Sequence, residues 1–192
     1  MTQAPASIRQ SSLLDKLVVL FLTEGFRSFT LDDLARRLHC SKSTLYALAA
    51  SKEQLVVRVV RQFFASATER VEAEVATSEP GLGAIAAYLR AVSAALAPAS
   101  GQFFADLAGF PPADEIYAHN TSSAARRVQQ LIDQGAAAGA VRQVHAGFVG
   151  AVVTEVMTAI HAGDIARASG LDDAAAYDHL ADLVVSALVP PT

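Results

Sequence analysis

With one cysteine, Cys40, in 192 residues, the chain cannot form an intramolecular disulfide, and that usage suits a reducing compartment. Asn-Gly and Asp-Gly, the strongest hairpin signals, do not occur. No nucleophile–base motif and no phosphate-cradling glycine loop is found, so an enzyme would lack a recognisable centre. The N-terminus lacks the basic-then-apolar order of a signal peptide. The most apolar stretch, Ala146 to Ile160, is interrupted by Glu155 and is too short to span a bilayer. These absences predict a soluble, cytoplasmic protein with no membrane partner, no internal repeat and no cofactor.

What is present is helix-forming. Hydrophobic residues make up 52% of the chain, enough for a substantial core. Alanine, leucine, arginine and glutamate favour helix, and the β-branched residues fall mostly at helical spacing. The expected fold class is all-α, with about nine helices. The net charge of −4 argues alone against nucleic acid, but it is unevenly distributed. Residues 1–61 carry nine Lys/Arg against five Asp/Glu, whereas residues 62–192 carry six against fourteen. A basic head on an acidic body fits a DNA-reading module joined to a second domain.

Residues 1–10 read as a short arm. A first helix is expected from Ser11 to Glu24, with Leu13, Leu14, Leu17, Val18, Phe21 and Leu22 on one face, and Gly25 as its left-handed cap. Thr30 can cap a second short helix, with Asp33 three residues on completing a capping box. His39 and Cys40 form a turn, Ser41 caps a third helix to about Ala49, and a long linking helix runs over 52–77. Later breaks at Thr77–Gly81, Gly109–Pro112, Gly139 and Ser169-Gly170 delimit helices at about 82–96, 103–108, 113–138, 145–168 and 172–188. A kink is expected near His119–Ser122 in the helix over 113–138. Pro190-Pro191 stops the chain. This divides it into an N-terminal arm and three-helix head (1–50) and a larger helical domain (51–192).

Two short helices joined by a tight turn form a helix-turn-helix layout. A two-turn helix fits the major groove, and its N-terminal amides and partial positive charge favour phosphate. The run Phe29-Thr30-Leu31-Asp32-Asp33-Leu34-Ala35-Arg36-Arg37-Leu38, then Ser41-Lys42-Ser43-Thr44-Leu45-Tyr46, then Ser51-Lys52-Glu53-Gln54-Leu55, resembles the signature of the TetR family of transcriptional regulators. It follows Phe21-Leu22-Thr23-Glu24-Gly25-Phe26 at the family's spacing. The resemblance is specific over about residues 12–60; beyond that only the helical layout is similar. It implies a ligand-responsive repressor that binds a palindromic operator in double-stranded DNA as a homodimer. It assigns Thr30, Ser41, Thr44 and Lys52 to phosphate contacts, and Lys42, Ser43 and Tyr46 to the groove face. Arg9 and Arg27 are further candidates for backbone charge.

After Tyr46 the sequence departs from the family. Ala47, Leu48, Ala49 and Ala50 stand where aromatic, histidine or similar residues are usual. The loss at Ala49 removes a core anchor that Leu48 can partly replace by turning inward, and the loss at Ala47 removes a polar contact. Each assigned residue also has a plainer role. Thr30 and Ser41 would be favoured as caps without DNA, Lys42 and Lys52 could be solvated charges, and Tyr46 could pack.

The stretch from His145 to Ala168 is apolar nearly all round, which implies two buried faces. The resemblance makes this helix and the last one a four-helix dimer interface, for which the candidates are Val153, Val156, Ile160, Leu180 and Val184. An effector cavity is expected among the helices of residues 82–160, with Tyr88, Phe103, Phe104, Phe110, Tyr117, Phe148 and Met157 as candidate wall residues. Ordinary core packing is the commoner role for any one of them.

Rival readings rest on single features. His161 and Asp164 are three apart and share a stretch with His145 and Glu155, but a helix rise separates the two histidines by roughly 24 Å. A sensor that keeps the fold but binds DNA poorly or through a partner is motivated by Ala47–Ala50. Cys40 as a thiol switch is motivated by its place before a helix.

Overall fold

Ten α-helices and no strand make up the regular structure of residues 5–189, the part of the chain that a computed structural model describes. Residues 1–4 of the expected arm, the side chain of Arg9 and Pro190-Pro191 lie outside the described residues. The helices are α1 (Pro5–Glu24), α2 (Leu31–Arg37), α3 (Lys42–Tyr46), α4 (Lys52–Thr77) and α5 (Leu82–Leu96). They continue with α6 (Gly101–Ala108), α7 (Pro111–Ala137), α8 (Ala146–His161), α9 (Asp164–Ser169) and α10 (Asp173–Leu188).

α1 begins at Pro5, inside the expected arm. Proline suits a first helical position, where its missing N–H would have had no partner and its φ is already helical. Helix α7 is assigned without interruption across His119–Ser122. The stretch expected to be one helix over 145–168 is two, because Gly163 adopts φ +72° between α8 and α9. A lone glycine is tolerated within a helix, so its local sequence did not mark this break.

The chain divides into two compact units that do not follow the expected boundary at residue 50. The first comprises residues through Ala65 together with Ala99–Ile116; the second comprises Ser66–Pro98 and the chain from Tyr117 onward. In the first unit α1 packs against α6, and α2 against α3. Leu17 and Phe21 of α1, Leu34, Leu45, Leu55, Val60, Phe103 and Leu107 are buried there. The Phe26 ring lies 5.7 Å from Phe21, 6.2 Å from Phe103 and 6.3 Å from Phe110, so a non-helical residue anchors the aromatic core. Burying side chains of this size stabilises by about 1.5–3 kcal/mol each.

In the second unit α10 packs against α5, α8 and α9. Ile85, Leu89, Val128, Ile132, Val153, Met157, Ile160 and Leu180 form its apolar interior. Arg127 makes a two-pronged ion pair with Glu72, both bonds 2.9 Å, which joins α7 to α4. Among the described residues no single helix is long and apolar enough to cross a membrane.

Candidate nucleic-acid interface

Local chemistry shapes the head. Thr30 is extended, accepts from the Asp33 amide at 3.2 Å, and donates its own amide to Asp33 Oδ2 at 3.0 Å. This reciprocal capping box starts α2 at Leu31. It also holds the Asp33 carboxyl below its usual range: the Thr30 hydroxyl and amide are the main causes, and Arg36 adds to them. The chain then turns at His39, whose φ of +50° is rare for a residue with a side chain. The Cys40 amide donates back to Ala35 O at 3.0 Å and closes the turn.

Ser41 is the cap of α3 and accepts from the Thr44 amide at 3.2 Å. Its hydroxyl lies 2.7 Å from that of Ser43 and 2.8 Å from that of Thr44. Within α3 only Leu45 is buried. Ser41, Lys42, Ser43, Thr44 and Tyr46 are all exposed, and Tyr46 is an outlier at 52% for so large an apolar ring. A five-residue helix that buries one leucine and presents hydroxyls, an ammonium and a phenol has a polar face free for another molecule.

The two lysines are tethered. Lys42 Nζ lies 2.6 Å from Asp32 Oδ1, an ion pair that links α3 to the first turn of α2 and raises the lysine's pKa. Lys52, at the start of α4, donates from Nζ to the main-chain oxygen of Arg27 at 2.9 Å. Thr30 is exposed on the loop that follows Arg27. Arg36 pairs with Asp33, and Arg37 pairs with Glu24 across the α1–α2 connection.

The segment that departs from the family pattern is packed. Leu48 is buried, Ala47 is exposed, and Arg58 Nη1 donates to Leu48 O at 2.5 Å. Arg58 thus ties α4 to the chain just after α3, a contact with no local sequence signal. Leu48 is the side chain of this segment that turns inward. Cys40 is half-buried and burial pushes its thiol up. That direction disfavours the thiolate, the form a redox switch needs.

The expected effector wall is divided between the units. Phe103, Phe104 and Phe110 belong to the first; Phe103 and Phe104 rings are 5.7 Å apart, and Phe103 meets Phe63 at 5.9 Å. Tyr88, Tyr117 and Met157 are buried in the second unit, whereas Phe148 is 67% exposed on α8. Buried with Tyr117 are Thr121 and Tyr177, and Asp173 and His161 are half-buried. Burial pushes the Tyr177 phenol up to about 12, an effect that the neighbouring Tyr117 and Thr121 oppose. The Tyr117 and His161 rings lie 4.1 Å apart. Sequence reasoning singled out Tyr117 but not Tyr177, Thr121 or Asp173, because these meet only through packing of α7 and α10.

Of the residues expected at a dimer interface, Val153, Ile160, Leu180 and Val184 are buried within the chain's own core, and Val156 is half-buried. The exposed apolar side chains of these helices are instead Phe148, Val152 and Leu183. His145 caps α8, its Nδ1 accepting from the Phe148 amide at 3.1 Å. Asp164 pairs with Arg167. No group of three or more His, Cys, Asp or Glu residues suited to a metal ion is found among the described residues.

The family described as "Bacterial regulatory proteins, tetR family" matches residues 13–59, which cover the buried face of α1, both short helices and the start of α4. Over residues 13–59 the chain is similar to the TetR family. The HTH-type transcriptional regulator YvaF of Bacillus subtilis is 47% identical over 60 residues, which cover 31% of this chain and 30% of that protein. The match to this relative therefore spans under a third of its length. A TetR-family regulator from Agrobacterium tumefaciens superposes with a TM-score of 0.70 at 19% identity, covering 96% of this chain and 99% of that one. A regulator from Saccharomonospora viridis, solved in complex with choline, also scores 0.70 at 16% identity, covering 95% and 98%. At these identities the likeness of the structures extends the TetR fold over nearly the whole chain.

Proposed function

We propose that this protein is a transcriptional repressor that binds a palindromic operator as a homodimer and is released from it by a small-molecule effector. The observation that carries the DNA-binding reading is the exposed face of α3, where Lys42, Ser43, Thr44 and Tyr46 surround one buried leucine. Small polar groups allow close approach to base edges, and Tyr46 supplies a flat ring with a hydroxyl for the groove. Thr30, Ser41, Thr44 and Lys52 are the phosphate contacts in this reading. The buried Leu48 supports a head packed well enough to hold α3 in place despite Ala47–Ala50.

For the dimer, the supporting feature is the exposed apolar surface of Phe148 and Val152 on α8 and Leu183 on α10. Exposed large apolar groups that cluster mark contact surfaces. A second copy meeting α8 and α10 would set two heads on a twofold axis, with half-sites roughly 34–36 Å apart. For the effector, Tyr88, Tyr117 and Met157 remain the candidates in the second unit, with Tyr177, Thr121 and Asp173 adding polar groups in an apolar interior. The choline held by the S. viridis regulator supports a small organic ligand for this fold. The effector acts by favouring a spacing of heads that no longer matches the operator.

The test is a fluorescence-polarisation titration against DNA from the gene's own upstream region and a scrambled control, at two salt concentrations. Sequence-preferring, salt-sensitive binding at two protomers or a multiple per site is expected. A folded dimer that binds neither DNA would remove the repressor reading and leave a sensor.

A further inference from the structure

The loop between α1 and α2 is gripped on both sides of one residue. Asp106 of α6 is 4% exposed, and its Oδ2 accepts the amides of Phe26 at 2.6 Å and Arg27 at 2.8 Å. Gln102 Nε2 donates to its Oδ1 at 2.7 Å. The carbonyl of that same Arg27 accepts from Lys52 Nζ at 2.9 Å. Gly25, at φ +76°, makes room for this: a Cβ there would meet Asp106 Oδ2 at 2.6 Å. Successive amides turned toward one point form an anion-holding concavity, and a buried carboxylate with three donors is held far more firmly than a neutral group.

We propose that Asp106 is a positioning residue for DNA binding: it holds the Arg27 peptide so that the Arg27 carbonyl aims Lys52 at a DNA phosphate. This rests on the DNA-binding reading above. A buried aspartate that only stabilises the head would lower the fraction of folded protein without changing how many phosphates the folded protein neutralises. A residue that aims Lys52 changes that number. Loss of one phosphate contact lowers the salt slope by about 0.9, so a fourfold rise in salt narrows the gap between variant and wild type about 3.5-fold.

The experiment is a double-variant cycle with Lys52→Ala, Asp106→Ala and both together, titrated against upstream DNA at 50 and 200 mM salt. Each single variant is expected to bind more weakly at 50 mM, with the gap narrowing about 3.5-fold at 200 mM. The double variant is expected to bind no worse than Lys52→Ala alone. Asp106→Asn, which can keep an oxygen on both amides and turn its NH2 to Gln102, is expected to recover most of the loss. Should Asp106→Ala fail to fold, the surface change Gln102→Ala takes its place, with a smaller narrowing that vanishes in the Lys52→Ala background. Losses that multiply in the double variant, or a deficit equal at both salt concentrations, overturn the proposal while the DNA-binding reading stands. A folded wild-type protein that binds no DNA overturns both.

Discussion

Lys42 and Asp32 form an ion pair at 2.6 Å across the helix-turn-helix, with both side chains more than half exposed. The lysine assigned to the groove is thus partly neutralised by the helix that precedes it. Asp32→Asn should release it and remove a negative charge from the DNA-facing side. Affinity for upstream DNA should rise about two- to fivefold at low salt, with a steeper salt dependence. Polarisation titrations at several salt concentrations measure this; unchanged affinity would mean that Lys42 does not approach DNA.

Tyr46 is half-exposed on a helix held in place by the buried Leu45. Tyr46→Ala should leave the melting temperature nearly unchanged and weaken operator binding at least fivefold. Binding to scrambled DNA should change little, because phosphate contacts survive. Equal losses on both DNAs would move Tyr46 from base reading to backbone contact.

Phe148 and Leu183 present large apolar surfaces on α8 and α10, whereas Val153 and Leu180 on the same helices are buried. If α8 and α10 form the proposed dimer interface, Phe148→Arg with Leu183→Arg gives a folded monomer with weakened operator binding. Light scattering coupled to size exclusion gives the mass, and circular dichroism checks the helix content. A double variant that stays dimeric would place the interface elsewhere.

Asp173 stands in the first turn of α10, and its carboxyl is pushed up to about 6 from an ordinary 3.8. Burial is the main cause, the neighbouring Asp172 adds to it, and His161 opposes it. Tyr117 and Tyr177 are the other titratable groups that sense its charge. A folded-state value above the unfolded one means that the folded chain binds this proton more tightly. The ionised group therefore destabilises the protein above pH 6, and that penalty disappears as pH falls from about 6 to about 4. Because Asp173 is only half-buried, solvent screening reduces the effect to about 1 kcal/mol. Asp173→Asn should raise the melting temperature by about 2–4 °C at pH 8 and leave it unchanged at pH 4. A shift of equal size at both pH values would trace the effect to packing.

Much of the head could be read locally. Thr30 and Ser41 were legible as caps because a cap acts on an amide three residues away, and Gly25 was legible because a left-handed turn after an apolar stripe favours glycine. The register of Ser41 to Tyr46 against Lys52 carried the family resemblance for the same reason: the helix-turn-helix is a short-range object. The second unit was less legible. Its long apolar stretch has helical spacing on more than one face, so periodicity did not distinguish Val153, which the core takes, from Phe148 and Val152, which solvent meets.

The sequence by itself determined the all-helical class, the helix-turn-helix and the residues on its exposed face, since all of these follow from interactions within a few positions of one another. Only the tertiary structure decided that Ala99–Ile116 joins the first unit, that Asp106 grips the amides of Phe26 and Arg27 some eighty residues earlier, and that Tyr117, Thr121 and Tyr177 are buried together. Such pairings depend on how whole helices pack, and a hydrogen bond between distant residues leaves no periodicity in the chain that forms it.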